Sequence, residues 1–203
     1  MTDPFAEKAR VWNKDPARIR AISTFTDRVK SIAPIGLHDR VMDLGCGTGT
    51  AGLNLINEVG CICFVDPSKA MLDVLKESII EKGVENFEIY EGEIDQFNGS
   101  PVDLVMSHMA FHHAEDIDDL VKKIHNVLKI GGKAVVVDVH TEDGSFHGEM
   151  KVPHNGFDVE ILKSQFIRAG FKRVLSEDYP AHVKKRENQP DQEYPRFVIL
   201  AEK

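Results

Sequence analysis

Between residues 16 and 32 the apolar positions recur at steps of three and four. Ile19, Ile22, Phe25, Val29 and Ile32 form one stripe, the period of an amphipathic helix. Asp15-Pro16 supplies an N-cap and a first-turn proline, and Pro34 and Gly36 stop the helix. Before it, Phe5, Ala9 and Trp12 suggest a shorter amphipathic piece. From Arg40 the pattern changes to short apolar runs separated by helical stripes. The runs predict strands over 41–44, 61–65, 87–90, 102–107, 133–139, 171–175 and 197–201. The stripes predict helices over 50–59, 68–82, 117–128 and 159–169, with Gly83, Gly131-Gly132 and Gly170 as C-terminal stops.

Strands alternating with helices predict an α/β fold, a doubly wound and mostly parallel sheet of seven strands. The last two strands are separated only by a polar stretch over 184–190, which predicts an antiparallel hairpin at the sheet edge. No repeat, low-complexity tract or linker is visible. Residues 1–203 are therefore expected to form one domain, with 1–36 a helical segment that covers the active site.

Composition narrows the partners. The 203 residues carry 25 basic and 33 acidic side chains, a formal net charge of −8. A large nucleic-acid footprint needs a basic face, so none is expected. No run approaches the ~20 apolar residues of a membrane span, and residues 1–8 lack the apolar core of a secretion signal. A cytoplasmic protein is expected, with the three cysteines reduced. Cys61-Ile62-Cys63 lacks a second ligand pair and is not expected to hold metal.

The chemistry concentrates in Val41-Met42-Asp43-Leu44-Gly45-Cys46-Gly47-Thr48-Gly49-Thr50. A buried strand runs into three alternate glycines and then a helix start. Glycines cost backbone entropy, so such a run marks a sharp turn with a ligand lying against it. Gly47-Thr48-Gly49-Thr50-Ala51-Gly52 spells the dinucleotide pattern G-x-G-x-x-G, and Asp66 follows at ribose-binding distance. A nicotinamide-dependent oxidoreductase is therefore one reading. Asp43, however, would repel a pyrophosphate and attract a cation, and the strand abuts Gly45-x-Gly47-x-Gly49 instead. Another acid pair follows the third strand in Glu91-Gly92-Glu93-Ile94. A ligand with an ammonium, a ribose and an adenine but no phosphate meets these features, and S-adenosylmethionine is such a cofactor.

These motifs resemble the class I S-adenosylmethionine-dependent methyltransferases, of the small type that includes the ubiquinone/menaquinone-biosynthesis-like enzymes. The glycine run resembles the family's first motif. Val65-Asp66-Pro67-Ser68-Lys69-Ala70-Met71-Leu72 resembles the second-strand motif, and Gly92-Glu93-Ile94 the adenine-binding turn. Val102–Ser107 followed by His112-His113 resembles the fourth-strand motif. Leu128-Lys129-Ile130-Gly131-Gly132 resembles the L-K-P-G-G turn, with Ile130 in place of proline, and Ala169-Gly170-Phe171 the last helix–strand junction. The resemblance implies a cofactor site of Asp43, Gly45, Cys46, Gly47, Thr48, Gly49, Asp66, Pro67, Met71, Gly92, Glu93, Ile94, Ser107 and His108. In it Asp43 balances the ammonium, Asp66 takes the ribose hydroxyls, Glu93 the adenine amine, and Met71 and Ile94 sandwich the ring.

In an open parallel sheet ligands sit beyond the carboxyl ends of the strands. Histidines leave those ends after the fourth and fifth strands, and His112, His113, His140 and His154 are the candidate bases for a protonated acceptor. His108 and His112 have i, i+4 spacing, but no H-E-x-x-H pattern appears and no metal is expected. The position after the fourth strand reads Ser107-His108-Met109-Ala110, without the proline-rich motif of DNA-amino methyltransferases. A small-molecule methyl acceptor is expected. A non-catalytic S-adenosylmethionine-binding regulator is the third class of reading.

Overall fold

The computed structural model describes residues 3–148, 150–185 and 190–203. Residues 186–189, the middle of the polar stretch before the last strand, lie outside the described residues, as do Met1, Thr2 and Glu149. Seven strands form one sheet: β1 (Arg40–Leu44), β2 (Cys61–Asp66), β3 (Phe87–Glu91), β4 (Val102–His108), β5 (Leu128–Val139), β6 (Arg173–Lys184) and β7 (Gln192–Glu202). Their spatial order is β3-β2-β1-β4-β5-β7-β6. The pairs from β3 to β5 are parallel, and β7 is antiparallel to both β5 and β6. The chain winds outward in one direction through β1, β2 and β3, then reverses through β4. The switch point therefore lies between β1 and β4, where a doubly wound sheet opens a crevice for ligands.

Among the described residues five α-helices cover the sheet: α1 (Pro16–Ile32), α2 (Thr50–Leu55), α3 (Lys69–Lys82), α4 (Ile117–Val127) and α5 (Val159–Arg168). Each longer helix begins at a polar cap. Asp15, Ser68, Asp116 and Asp158 accept from backbone N–H groups of the first turns of α1, α3, α4 and α5, satisfying donors that the helix itself cannot. The stripe of α1 faces inward through Ile22, Phe25 and Val29, which pack with Leu55, Leu72 and Leu75 of α2 and α3. Val121 and Ile124 of α4 and Phe166 of α5 fill the opposite layer. Alternate residues of β1 enter different layers, Val41 one and Met42 the other, as the two-residue strand period requires. In β5, Ala134, Val135, Val136 and Val137 are wholly buried, the mark of a strand covered on both faces.

Several boundaries differ from the sequence reading. The second helix ends at Leu55 and the chain reaches β2 through turns. β5 begins at Leu128, not at 133, because Leu128 already pairs with Val102 and the two glycines form an irregularity inside the strand. The Gly131 N–H and the Gly132 carbonyl are bonded there to Lys203. β6 and β7 run several residues further than their apolar stretches. The outer part of β6 is largely exposed, and its register shifts between Tyr179 and His182, around Pro180. An edge strand with a proline-associated bulge carries no clean apolar alternation to read. The hairpin is antiparallel as expected, with β7 inside it and β6 at the edge. Among the described residues no helix is long and apolar enough to cross a membrane.

Candidate active site

The glycine loop follows β1 and passes three times through positive φ, at Gly45, Gly47 and Gly49. Gly45 has φ +70°, and a Cβ there would lie 2.4 Å from the Ala110 Cβ, so neither the conformation nor the space admits a side chain. Gly47 has φ +53° but faces open space, with nothing within 4 Å of a built Cβ. That backbone is a cradle against which a flat ligand can lie, as residues that fit the cofactor implied by the motif would provide.

Two carboxylates brace this loop. Asp43, at the end of β1, is 2% exposed, and its Oδ2 accepts from the Gly52 N–H at 2.9 Å. Burial pushes its pKa up to about 7, the Gly52 hydrogen bond opposes this, and Asp66 adds repulsion. A cation placed beside Asp43 would be strongly favoured for the same reason. Asp66 ends β2. Its Oδ2 accepts from the Gly47 N–H at 2.7 Å and its Oδ1 from the Ser68 N–H at 2.8 Å. Burial also raises the Asp66 pKa, the two backbone bonds lower it, and Asp3 and Glu93 raise it. Asp66 thus fixes the loop and the α3 N-terminus to each other.

The remaining cofactor candidates differ in their surroundings. Thr48 donates its hydroxyl to the Asn13 amide oxygen at 2.8 Å. The Cys46 thiol is held protonated, first by burial and then by Asp43 and Asp66, and Ser107 donates to the Leu44 carbonyl at 2.9 Å, tying β4 to β1. Pro67 and Glu93 are exposed, whereas Met71 and Ile94 are buried. Gly92 donates its N–H to the Asp66 carbonyl, which sets the turn after β3 beside β2. His108 is turned elsewhere, its ring tilted on Phe25 at 4.8 Å and its Nε2 3.4 Å from Arg196 Nη1. Burial, then Arg196 and His182, push its pKa down to about 3.

The N-terminal residues lie across this region. Asp3 Oδ2 accepts from the Ser68 hydroxyl at 2.8 Å and from the Ala70 N–H at 3.2 Å. Asn13 Oδ1 also accepts from Thr50, at 3.2 Å. Phe5 packs edge-on against both Trp12 and His113, at 5.9 and 5.4 Å between ring centres. One short segment thereby touches the glycine loop, the α3 N-terminus and the segment leaving β4.

That last segment turns at Met109, whose φ of 58° is the one positive value at a non-glycine among the described residues. Such a conformation costs of order 1 kcal/mol or more and persists where surrounding contacts hold it. It carries the chain from β4 into a short turn over Phe111–His113. His112 is 1% exposed and Asp138 wholly buried. His112 Nδ1 donates to Asp138 Oδ1 at 2.7 Å, and the same carboxylate accepts from the His112 and Val139 N–H groups. The ring of His147, from the loop after β5, sits 4.5 Å from that of His112 and 5.5 Å from that of His113. Burial pushes both His113 and His147 down to about 4, helped by the neighbouring His112. These imidazoles are neutral at pH 7, with lone pairs available.

Of the four proposed bases, the structure therefore brings together His112 and His113. His140 lies elsewhere, packed edge-on against Phe197 and 3.9 Å from Asp178. The His154 N–H donates to the His112 carbonyl, but its ring lies on Phe157 beside an outer hollow lined by Glu115, Asp116 and Gln165. The sequence reading passed over Asp138, although a lone acid inside the run Ala134–Val139 was a visible signal. It also passed over Asp3 and Asn13, which no motif marks.

Residues 41–132 match the methyltransferase-domain family. The chain is 33% identical over 137 residues to the uncharacterized methyltransferase YcgJ of Bacillus subtilis, covering 66% of this chain and 53% of that protein. It is 30% identical over 158 residues to the ubiquinone/menaquinone biosynthesis C-methyltransferase UbiE of Xylella fastidiosa, covering 74% and 62%. A SAM-dependent methyltransferase from Aquifex aeolicus has the same fold, with a TM-score of 0.72, 18% identity and 97% coverage of both chains. The chain spans between about half and three-fifths of the length of the curated relatives it matches, 54%, 53% and 61% for three of them. Residues 41–132 thus carry a methyltransferase domain, and in motifs, sheet order and relatives the chain is similar to the class I S-adenosylmethionine-dependent methyltransferases.

Proposed function

We propose that this chain transfers the methyl group of S-adenosylmethionine to a small-molecule acceptor held among the histidines beyond β4 and β5. The cofactor supplies an electrophilic methyl group on a sulfonium. The observation that carries the reading is the bracing of the open Gly47 backbone by Asp66, with buried Asp43 behind it. Asp43 balances the ligand ammonium. Asp66 offers the carboxylate edge that ribose hydroxyls need, and Glu93 reaches the adenine side. These acids would oppose a pyrophosphate, so the family's cofactor suits the loop better than a dinucleotide does.

His112 and His113 stand on the acceptor side. The buried Asp138 fixes the His112 tautomer, which leaves Nε2 as its acceptor nitrogen. An imidazole fixed in this way can take a proton from an acceptor heteroatom and also position it. Positioning alone can supply about 7–11 kcal/mol of a barrier. The segment over residues 3–14 closes this space through Asp3, Phe5 and Asn13 and keeps water from the reacting groups.

Calorimetry with S-adenosylhomocysteine, followed by a radiolabelled methyl-transfer screen over quinols, phenols, amines, thiols and metalloid oxyanions, tests the reading. Binding with turnover of one class supports it. Binding with no turnover of any class favours a regulator, and NADH binding without S-adenosylhomocysteine binding overturns the cofactor assignment.

A further inference from the structure

We infer that His112, His113 and His147 form a site for one divalent metal ion of the zinc type, placed to hold the methyl acceptor. One ligand nitrogen from each residue lies within 4.8 Å of the others. Zinc–imidazole bonds of 2.0–2.1 Å need nitrogens about 3.3 Å apart, so ring rotations that close at most about 1.5 Å complete the set. Two sequence-distant segments supply it, the turn after β4 and the loop after β5.

Independent details point to a ligand there. His147 Nε2 is buried and has no hydrogen-bond partner. An imidazole nitrogen left this way costs free energy unless something occupies it. His112 meanwhile has Nδ1 committed to Asp138, the carboxylate–histidine arrangement that orients a metal ligand and raises its basicity. The surroundings exclude water on one side. Phe146 packs edge-on against His147 at 4.8 Å, and Phe5 packs against His113. Lys184 and, more weakly, Lys8 are the cations that act on His147, and the Lys184 ammonium donates to the Phe146 carbonyl over that ring.

Three neutral imidazoles leave a four-coordinate ion one open position and its full charge. An acceptor whose heteroatom carries a proton suits that position, with a thiol or phenol as the fitting class. With the ion bound, His112 Nε2 is a ligand and the metal replaces it in acidifying the acceptor: on coordination the proton leaves to solvent and the electron pair stays on the heteroatom. That pair forms the new bond to the methyl carbon, the carbon–sulfur bond breaks, and its electrons remain on a neutral thioether. The role in transfer rests on the proposed function, whereas the metal site rests on the histidine geometry alone.

The test uses the whole chain, freed of metal with chelator and titrated with Co²⁺ and Zn²⁺ alone. The expected result is about one equivalent of Co²⁺ with tetrahedral visible bands, displaced by Zn²⁺. His147→Ala and His113→Ala should each weaken binding at least about thirtyfold, and Asp138→Asn about 10–100-fold. The exposed His38→Ala should leave it unchanged. Absent bands, or equal affinity in His147→Ala, overturn the site. S-adenosylhomocysteine affinity on the same preparations separates the failures: cofactor binding without metal sinks only the metal site, and metal binding without cofactor sinks only the methyltransferase reading.

Discussion

The Asp138 carboxylate and the His112 imidazole lie 2.7 Å apart with both side chains buried. Removing the charge on one side leaves the other without its partner in a place water does not reach. Asp138→Asn should therefore lower the unfolding free energy by about 3 kcal/mol. Urea denaturation at pH 7 checks this, and a loss under about 1 kcal/mol would show that the pair is not what holds the turn after β4.

Gly45 and Gly47 of the loop should respond differently to the same change. Gly45→Ala forces a Cβ to 2.4 Å from Ala110, and overpacking plus positive φ should cost about 2–4 kcal/mol of stability. Gly47→Ala meets no atom and should cost about 1 kcal/mol, yet it fills the ligand side of the loop. Melting curves beside S-adenosylhomocysteine titrations should show stability lost mainly in the first variant and affinity mainly in the second.

Asp66→Ala releases the backbone of both Gly47 and Ser68. Cofactor affinity should fall more than tenfold, from lost ribose contacts and a loosened loop together. Calorimetry at matched folded fraction decides it, and an unchanged dissociation constant would remove Asp66 from the site.

Asp43 makes cofactor binding pH-dependent. Its folded-state pKa of about 7 stands above the ordinary carboxylate range. A raised carboxylate contributes most below the unfolded pKa, and its contribution is lost as pH climbs toward 7. Across that window the ligand-free chain should lose up to about 4 kcal/mol from this group. A bound ammonium favours the ionised form, so binding at pH 6 should release close to one proton. Calorimetry in buffers of different ionisation enthalpy measures the release, and Asp43→Asn should abolish it.

Asn13 joins the N-terminal segment to Thr48 and Thr50. Asn13→Ala should raise the cofactor dissociation rate about threefold to tenfold, the worth of roughly 1 kcal/mol of hydrogen bonding. Stopped-flow chase of bound S-adenosylhomocysteine provides the reading, and an unchanged rate would detach the segment from cofactor retention.

The parallel part of the fold was legible because its signals are local. Stripes such as Ile19–Ile32, caps such as Asp15 and the buried run Ala134–Val137 each act within a few residues. β6 was not, because its length depends on pairing with β7, not on burying a face of its own. The glycine loop was legible for a related reason, since its conformation demands a residue without Cβ. Which histidines meet was not legible. His147 reaches His112 only through the path of the loop after β5, while the nearer-looking His108 is drawn to Phe25 and Arg196. Asp138 carried a signal, an acid in an apolar strand, but its partner is 26 residues away.

The place of β7 sets the order in which the molecule can be finished. β6 precedes β7 in the chain, yet β7 alone joins β6 to the rest of the sheet. During synthesis β6 therefore has no strand to pair with until residues 192–202 have emerged. Lys203, which follows β7, donates to the carbonyls of His125 and Leu128 and so reaches α4 and β5 only after β7 has emerged. Until then β5 offers an open edge, the kind of surface on which two nascent copies can pair with each other.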